Sequence, residues 1–313
     1  MKYISPRKPT LYFIGVSTAY SSIMNIFPQW ARHLKLGDAQ IVGMDFPLKA
    51  RAEDYRAAVA FIKDEPNAYG ALITSHKINL LRASHDLFDS LDPYAQLLGE
   101  ISCIAKSGGK LMGHAKDAYT SALSLQAMIT DDYWTKYPTD MLCMGAGGAN
   151  LALTSYLLQQ ARGSQPQRLI ITDIRKKSLK EMATIHRQIA PNRPVEYRLC
   201  ESPAAHDAIL GSLLPHAIVI NGTGLGKDLA GSPLTDDALF PAQAIVWEYN
   251  YRGERLFLQQ AKAQQAQQQL QIHDGWTYFI YGWTQIMAEV FHIHIPTKGK
   301  LLDKLSDIAT LFR

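Results

Sequence analysis

Met141 to Asn150 reads MLCMGAGGAN, an apolar run that ends in Gly145-Ala146-Gly147-Gly148-Ala149 and then enters a helical pattern. A tight glycine turn feeding a helix N-terminus leaves backbone N–H groups unpaired at the positive end of the helix dipole. That end receives a pyrophosphate, and glycines without Cβ atoms let it approach closely. Asn150 occupies the place of the third glycine of the full dinucleotide fingerprint. The next apolar run, RLIIT (168–172), ends at Asp173. An acidic residue there accepts hydrogen bonds from the ribose hydroxyls of NAD and repels the 2′-phosphate of NADP. Arg175, Lys176 and Lys177 follow directly and keep NADP open as an alternative, with NAD preferred. A second glycine loop, Asn221-Gly222-Thr223-Gly224-Leu225-Gly226, follows the run AIVI. It falls at the carboxyl edge of a sheet, where cofactors sit.

These turns need strands and helices to hold them. LYFIG (11–15), QIVGM (40–44), GALIT (70–74) and ISCIA (101–105) read as strands, and AEDYRAAVAFIKD (52–64) as an amphipathic helix between them. A second series follows: MLCMG (141–145), RLIIT (168–172), VEYRL (195–199), AIVI (217–220) and AIVWEY (244–249), with helices over 150–161 and 175–189. Strand–helix alternation predicts parallel sheets with helices on both faces. Ser107-Gly108-Gly109 predicts a hairpin at the end of the first series. A helix over about 118–130 and the polar stretch TDDYWTKYPTD, read as a linker, separate the two series. The expected fold class is α/β with two domains. Residues 1–117 form an open α/β substrate domain, and 118–274 a doubly wound, Rossmann-type parallel sheet, with a cleft between them. Residues 275–313 form C-terminal helices that pack back on the first domain. The Gln-rich stretch 259–271 reads as a solvated helix.

At roughly 150 residues per domain, 313 residues suit two domains with large cores. A net charge of +4 over that length makes no case for nucleic acid or a polybasic membrane contact. No apolar stretch approaches the roughly 20 residues of a membrane span. The N-terminal apolar run, Leu11 to Val16, is too short for a signal core. Cys103, Cys143 and Cys200 form no CxxC, which argues against a disulfide framework or a zinc ribbon. His292-Ile293-His294 lacks a third ligand nearby, so no metal is expected. The expected protein is cytoplasmic, a monomer or homodimer, with a small molecule as its partner.

Several motifs in order carry a resemblance to the shikimate/quinate dehydrogenase family. Ile73-Thr74-Ser75-His76-Lys77 stands where that family has Val-Thr-x-Pro-x-Lys, with the lysine one position early. Gly99-Glu100-Ile101-Ser102-Cys103 stands for Gly-Ala-Val-Asn-Thr, and Gly113-His114-Ala115-Lys116-Asp117 for Gly-x-Asn-Thr-Asp. The Gly-Ala-Gly-Gly-Ala turn is intact at 145–149, and Asn221 to Gly226 is close to Asn-Ala-Thr-Ser-x-Gly. Glu248-Tyr249-Asn250-Tyr251 resembles the late Asp-x-x-Tyr, and Gly275 the helix-opening glycine. The resemblance implies hydride transfer between a secondary alcohol and a nicotinamide. Lys77 would exchange the hydroxyl proton and Asp117 would tether the ammonium or the hydroxyl. It also implies cofactor contacts from the 145–149 turn, Asp173, Arg175, Asn221, Gly222, Thr223, Gly224 and Gly275.

The substrate side departs from the family pattern. For Ser-x-Ser-Pro the chain has Ser17-Thr18-Ala19-Tyr20-Ser21-Ser22, so Ser17 aligns first, or Ser21 and Ser22 after a slide in register. Ser102 replaces an asparagine. Gly282 stands where the late helix offers a glutamine, with Tyr278 nearby. Thr74, Ser102, Tyr251 and Tyr278 complete the expected substrate contacts. His76 and His114 read equally as pocket or ordinary loop histidines, and Lys116 as an anion contact or a solvent-facing base. Changing several polar contacts together predicts a changed substrate, because a buried group left unpaired costs about 1–3 kcal/mol. The expected activity is NAD-dependent oxidation or reduction of a shikimate/quinate-like hydroxy acid or a related cyclic polyol. The alternatives are a non-catalytic NAD(P)-binding sensor and a folate-type methylene dehydrogenase.

Overall fold

A computed structural model describes residues 3–226 and 229–313. The chain divides into two units: one contains residues up to Asp117 together with Ile280–Arg313, the other is Ala118–Phe279.

The first unit alternates β1 (Thr10–Gly15), α1 (Ile23–His33), β2 (Gln40–Asp45), α2 (Ala52–Asp64), β3 (Ala68–Ile73) and α3 (Lys77–Ser84). It continues with β4 (Ser90–Leu91), α4 (Pro93–Leu98), β5 (Cys103–Ser107), β6 (Lys110–His114) and the start of α5 (Asp117–Gln126). The sheet order is β2-β1-β3-β5-β6-β4. It is not the parallel sheet that alternation predicts. β1 pairs in parallel with β2 and β3, but β5 runs antiparallel to both β3 and β6. The Gly108-Gly109 hairpin explains the β5–β6 reversal, since two consecutive strands joined by a tight turn must reverse direction. α2 buries Tyr55, Ala58, Val59 and Ile62, a helical-period stripe.

The second unit contains the rest of α5, then α6 (Tyr133–Lys136), β7 (Asp140–Met144), α7 (Gly148–Leu158), β8 (Arg168–Asp173) and α8 (Lys176–Ile189). β9 (Glu196–Leu199), α9 (Pro203–Leu210), β10 (Ile218–Asn221), β11 (Ile245–Glu248), α10 (Leu256–Gln268) and β12 (Gln271–His273) follow. The order β12-β11-β10-β7-β8-β9 is parallel throughout, with its switch point between β7 and β10. This is the doubly wound Rossmann arrangement. Met141 and Cys143 enter one core and Leu142 and Met144 the other, so β7 is apolar on both faces, as a covered parallel strand must be.

Three local expectations change. The stretch read as a linker contains α6, which buries Tyr133 and Trp134. The Gln-rich helix is not wholly solvated: Phe257, Leu258, Gln260 and Ala261 are buried, and the Ser232 hydroxyl donates to Gln260 Oε1 at 2.7 Å. Gln271–His273 is an edge strand, whose three residues are too few to show an alternation.

The tail forms α11 (Trp276–Val290) and α12 (Lys300–Thr310). The units divide inside α11, at Ile280 rather than at Gly275. Within the first unit, Trp30 Nε1 donates to the Leu305 carbonyl (2.8 Å), and Phe13 meets Trp283 edge-on. No helix among the described residues is long and apolar enough to cross a membrane.

Candidate functional site

In the second unit the loops after β7 and β10 emerge side by side at the switch point. Gly145 has a left-handed backbone (φ 93°), and a Cβ there would sit 2.7 Å from the Gly222 carbonyl. Only glycine permits both the turn and that approach. Gly147 precedes α7 without any side-chain cap, so the first N–H groups of an eleven-residue helix face outward. The carboxamide of Asn150 donates to the carbonyls of Met144 (3.0 Å) and Gly145 (2.7 Å). It thus ties the turn to the helix, where a third glycine would only have allowed close packing.

Around the turn lies a cavity of about 390 Å³, its lining including Gly145, Gly147, Asp173, Arg175, Gly222 and His206 of α9. An uncapped helix end beside Cβ-free backbone fits a pyrophosphate. Asp173 is 7% exposed and both its oxygens are engaged. Oδ2 accepts from Ala146 N–H (2.8 Å) and Oδ1 from the Arg175 N–H (2.8 Å) and Nε (3.4 Å).

The amide of Asn221 is likewise committed within the protein. It donates to Glu248 Oε2 (2.5 Å), and its oxygen accepts from the N–H and hydroxyl of Thr223 (3.1 and 2.6 Å). Asn221 therefore shapes the loop rather than presenting its amide to a ligand. Glu248 is fully buried, and burial pushes its carboxyl up to about 7, against the bonds from Asn250 and Asn221. Gly275 lies against the Tyr249 backbone, a packing position.

In the first unit, Lys77 opens α3 and Asp117 opens α5. Lys77 Nζ donates to Asp117 Oδ2, and the side chains are 23% and 14% exposed. Burial works against the Lys77 charge, but Asp117 and Glu100 outweigh it and hold the amine above the usual lysine range. Glu100, 4% exposed, is the third member of this group.

Two neighbours aim the pair. His76 is buried, with Nδ1 2.7 Å from the Tyr55 hydroxyl, a contact that anchors the start of α3. Ser102 Oγ accepts the Lys116 N–H (2.9 Å), one residue before Asp117. Lys116 itself donates to Glu289 Oε2 (2.6 Å), and His114 stands 3.5 Å from both Asp92 and Glu289. Lys116 is thus ion-paired within the first unit, and His114 lies between two carboxylates.

No model of a known protein family matches the chain. A shikimate dehydrogenase (NADP(+)) from Lactococcus lactis subsp. cremoris is 28% identical over 180 residues, which span 57% of this chain and 60% of that one. A shikimate 5-dehydrogenase from Listeria monocytogenes, solved in complex with shikimate and NAD, matches with a TM-score of 0.72 at 19% identity, over 98% of both chains. A quinate dehydrogenase from Corynebacterium glutamicum, in complex with NAD, matches with a TM-score of 0.73 at 15% identity, over 96% of this chain and 98% of that one. Such structural identities speak for the fold alone. Sequence and fold point the same way. The chain is similar in sequence to shikimate dehydrogenases and in fold to shikimate and quinate dehydrogenases.

The remaining residues expected from the family motifs lie in both units. The turn after β1 and the end of β3 sit together, since a Cβ on Gly15 would be 3.0 Å from Thr74 Oγ1 and 3.1 Å from Thr18 Cγ2. Ser17 is exposed there, and Ser21 and Ser22 are half-buried at the start of α1. Thr18 donates its N–H and hydroxyl to Asp45 Oδ1 (2.9 and 2.6 Å), which fixes that turn. The Thr74 hydroxyl leans on the Ile14 carbonyl (3.3 Å).

Tyr251 and Tyr278 belong to aromatic clusters of the second unit, Tyr251 against Trp276 and Phe279, Tyr278 against Trp247 and Tyr249. Motif reading missed the burial of Glu100 and the backbone bonds of Asn150, although both stand at visible departures from a motif. It had no signal for His206.

Proposed function

We propose that the protein is a nicotinamide-dependent oxidoreductase. It would move hydride between the cofactor and a secondary alcohol or ketone, a hydroxy acid of the shikimate/quinate type or a related cyclic polyol. The Lys77–Asp117 pair carries this reading: a half-buried ammonium held by a carboxylate at the mouths of two helices is an acid placed to protonate a forming alkoxide. Lys77 gives that proton in reduction and receives it in oxidation, while Asp117 holds the ammonium in one orientation.

The backbone of the 145–149 turn and of Gly222 to Gly224 would hold the dinucleotide, with its pyrophosphate on the N-terminus of α7. Asp173 would meet the adenosine ribose, which favours NAD over NADP. The bound nicotinamide supplies the hydride acceptor or donor. Ser17, Ser21, Ser22 and Thr74 would bind the polar groups of the substrate, with Tyr251 and Tyr278 as aromatic contacts. The Ser102 hydroxyl already serves the Lys116 N–H, which supports a substrate other than shikimate itself.

The test is a screen of shikimate, quinate and related hydroxy acids with NAD and NADP, followed by absorbance of the reduced nicotinamide. Turnover that disappears in Lys77→Ala supports the reading. Absence of absorbance change with every alcohol, and in reverse with every ketone, removes it.

A further inference from the structure

Glu100 is a buried carboxyl with no role in the reaction described so far. It follows Gly99, the left-handed residue (φ 63°) that ends α4, and precedes β5. Its side chain is buried, and Oε1 has no hydrogen-bond partner among the described residues. Two charged groups act on it electrostatically, Lys77 from the start of α3 and Asp117 from the start of α5, and those two are themselves bonded. A buried carboxyl oxygen without a partner is costly and rare in native proteins, and where it persists it marks a site of function or strain. Lys77 also poses a chemical problem. Flanked by two carboxylates it remains an ammonium, and an ammonium has no lone pair with which to accept the hydroxyl proton of an alcohol.

We infer that Glu100 is the proton reservoir behind Lys77, taking an ammonium proton from it as Lys77 takes the hydroxyl proton in alcohol oxidation, and returning it in ketone reduction. This deepens the oxidoreductase reading and rests on it. In oxidation the carbinol C–H bond breaks and its electron pair leaves as hydride to the nicotinamide dinucleotide. The O–H bond breaks and that proton joins Lys77. One ammonium proton moves from Lys77 to the Glu100 carboxylate, and the C=O bond forms. The substrate loses two electrons, the dinucleotide gains them, and Lys77 ends in the state in which it began. Burial and the nearby Asp117 push Glu100 up, against Lys77, to about 7. Both of its forms are therefore populated at neutral pH.

The experiment compares wild type, Glu100→Gln, Glu100→Asp and Lys77→Ala. In wild type, kcat for oxidation should rise with pH through an apparent pKa near 7. E100Q should lose that limb and oxidise about 10²-fold more slowly at pH 8, the low end of what a positioned proton acceptor contributes, with unchanged dinucleotide affinity. E100D should restore the limb. If E100Q keeps the wild-type profile and turnover while K77A abolishes turnover, the reservoir is wrong and the oxidoreductase reading stands. If K77A turns over as wild type does, that reading falls.

A second readout needs neither substrate nor cofactor. A carboxyl raised in the folded state adds stability below the ordinary carboxyl range that is lost as pH rises through about 7. Urea unfolding should therefore show stability falling between pH 5 and 7 more steeply in wild type than in E100Q. Equal slopes overturn the proposal, and E100D serves as the comparison should E100Q not fold.

Discussion

Asp173, at the end of β8, accepts the N–H of Ala146 in the glycine turn at 2.8 Å. The residue expected to select the cofactor is also a strut of the turn that would bind it. Asp173→Ser should act twice. Removing a negative charge beside the ribose site should raise the kcat/KM ratio of NADP to NAD by about tenfold or more, as expected for like charges at close range in a partly wet site. The Ala146 N–H, left without its partner, should lower stability by about 1–3 kcal/mol. Steady-state kinetics with both dinucleotides and urea unfolding check the two effects, and an unchanged ratio removes Asp173 from cofactor choice.

Lys77→Ala should lower turnover by about 10²–10⁴-fold in both directions, the range for a lost general acid–base group, with dinucleotide affinity spared. Calorimetric titration with the dinucleotide alongside initial rates separates the two quantities. Equal losses in both would make Lys77 a structural residue.

Asn150→Ala removes the two bonds that tie the Met144 and Gly145 carbonyls to α7. Stability should drop by about 1–3 kcal/mol, and dinucleotide affinity should fall with it because the turn loses its tether. Thermal unfolding with and without NAD measures both, and an unaltered affinity would confine Asn150 to packing.

His186 sits between the Thr154 hydroxyl (2.9 Å) and the Tyr197 hydroxyl (2.7 Å), and burial pushes it down to about 4. A histidine lowered in the folded state contributes stability that is present above pH 6.5 and is lost as pH falls through about 4. Wild type should lose about 3 kcal/mol over that window from this group alone. His186→Gln should flatten the slope, and a slope unaffected by the substitution would show that His186 titrates normally.

The amino-acid sequence by itself determined the Rossmann half. A glycine turn between an apolar strand and a helix, repeated strand–helix alternation and an acidic strand end are all written in consecutive residues, so local patterns report them. The bounds of α2, Ala52–Asp64, follow directly from its apolar spacing. Tertiary structure alone decided which distant groups meet. Lys77 and Asp117 open separate helices and Glu100 lies in the loop before β5, so their placement depends on how β3, β5 and β6 pair, including the reversal at the hairpin. The direction of the Asn221 amide, the engagement of Ser102 by Lys116, the Lys116–Glu289 ion pair and the carboxylates beside His114 were equally hidden. A side chain's partner is chosen by packing across elements, which neither residue type nor spacing along the chain encodes.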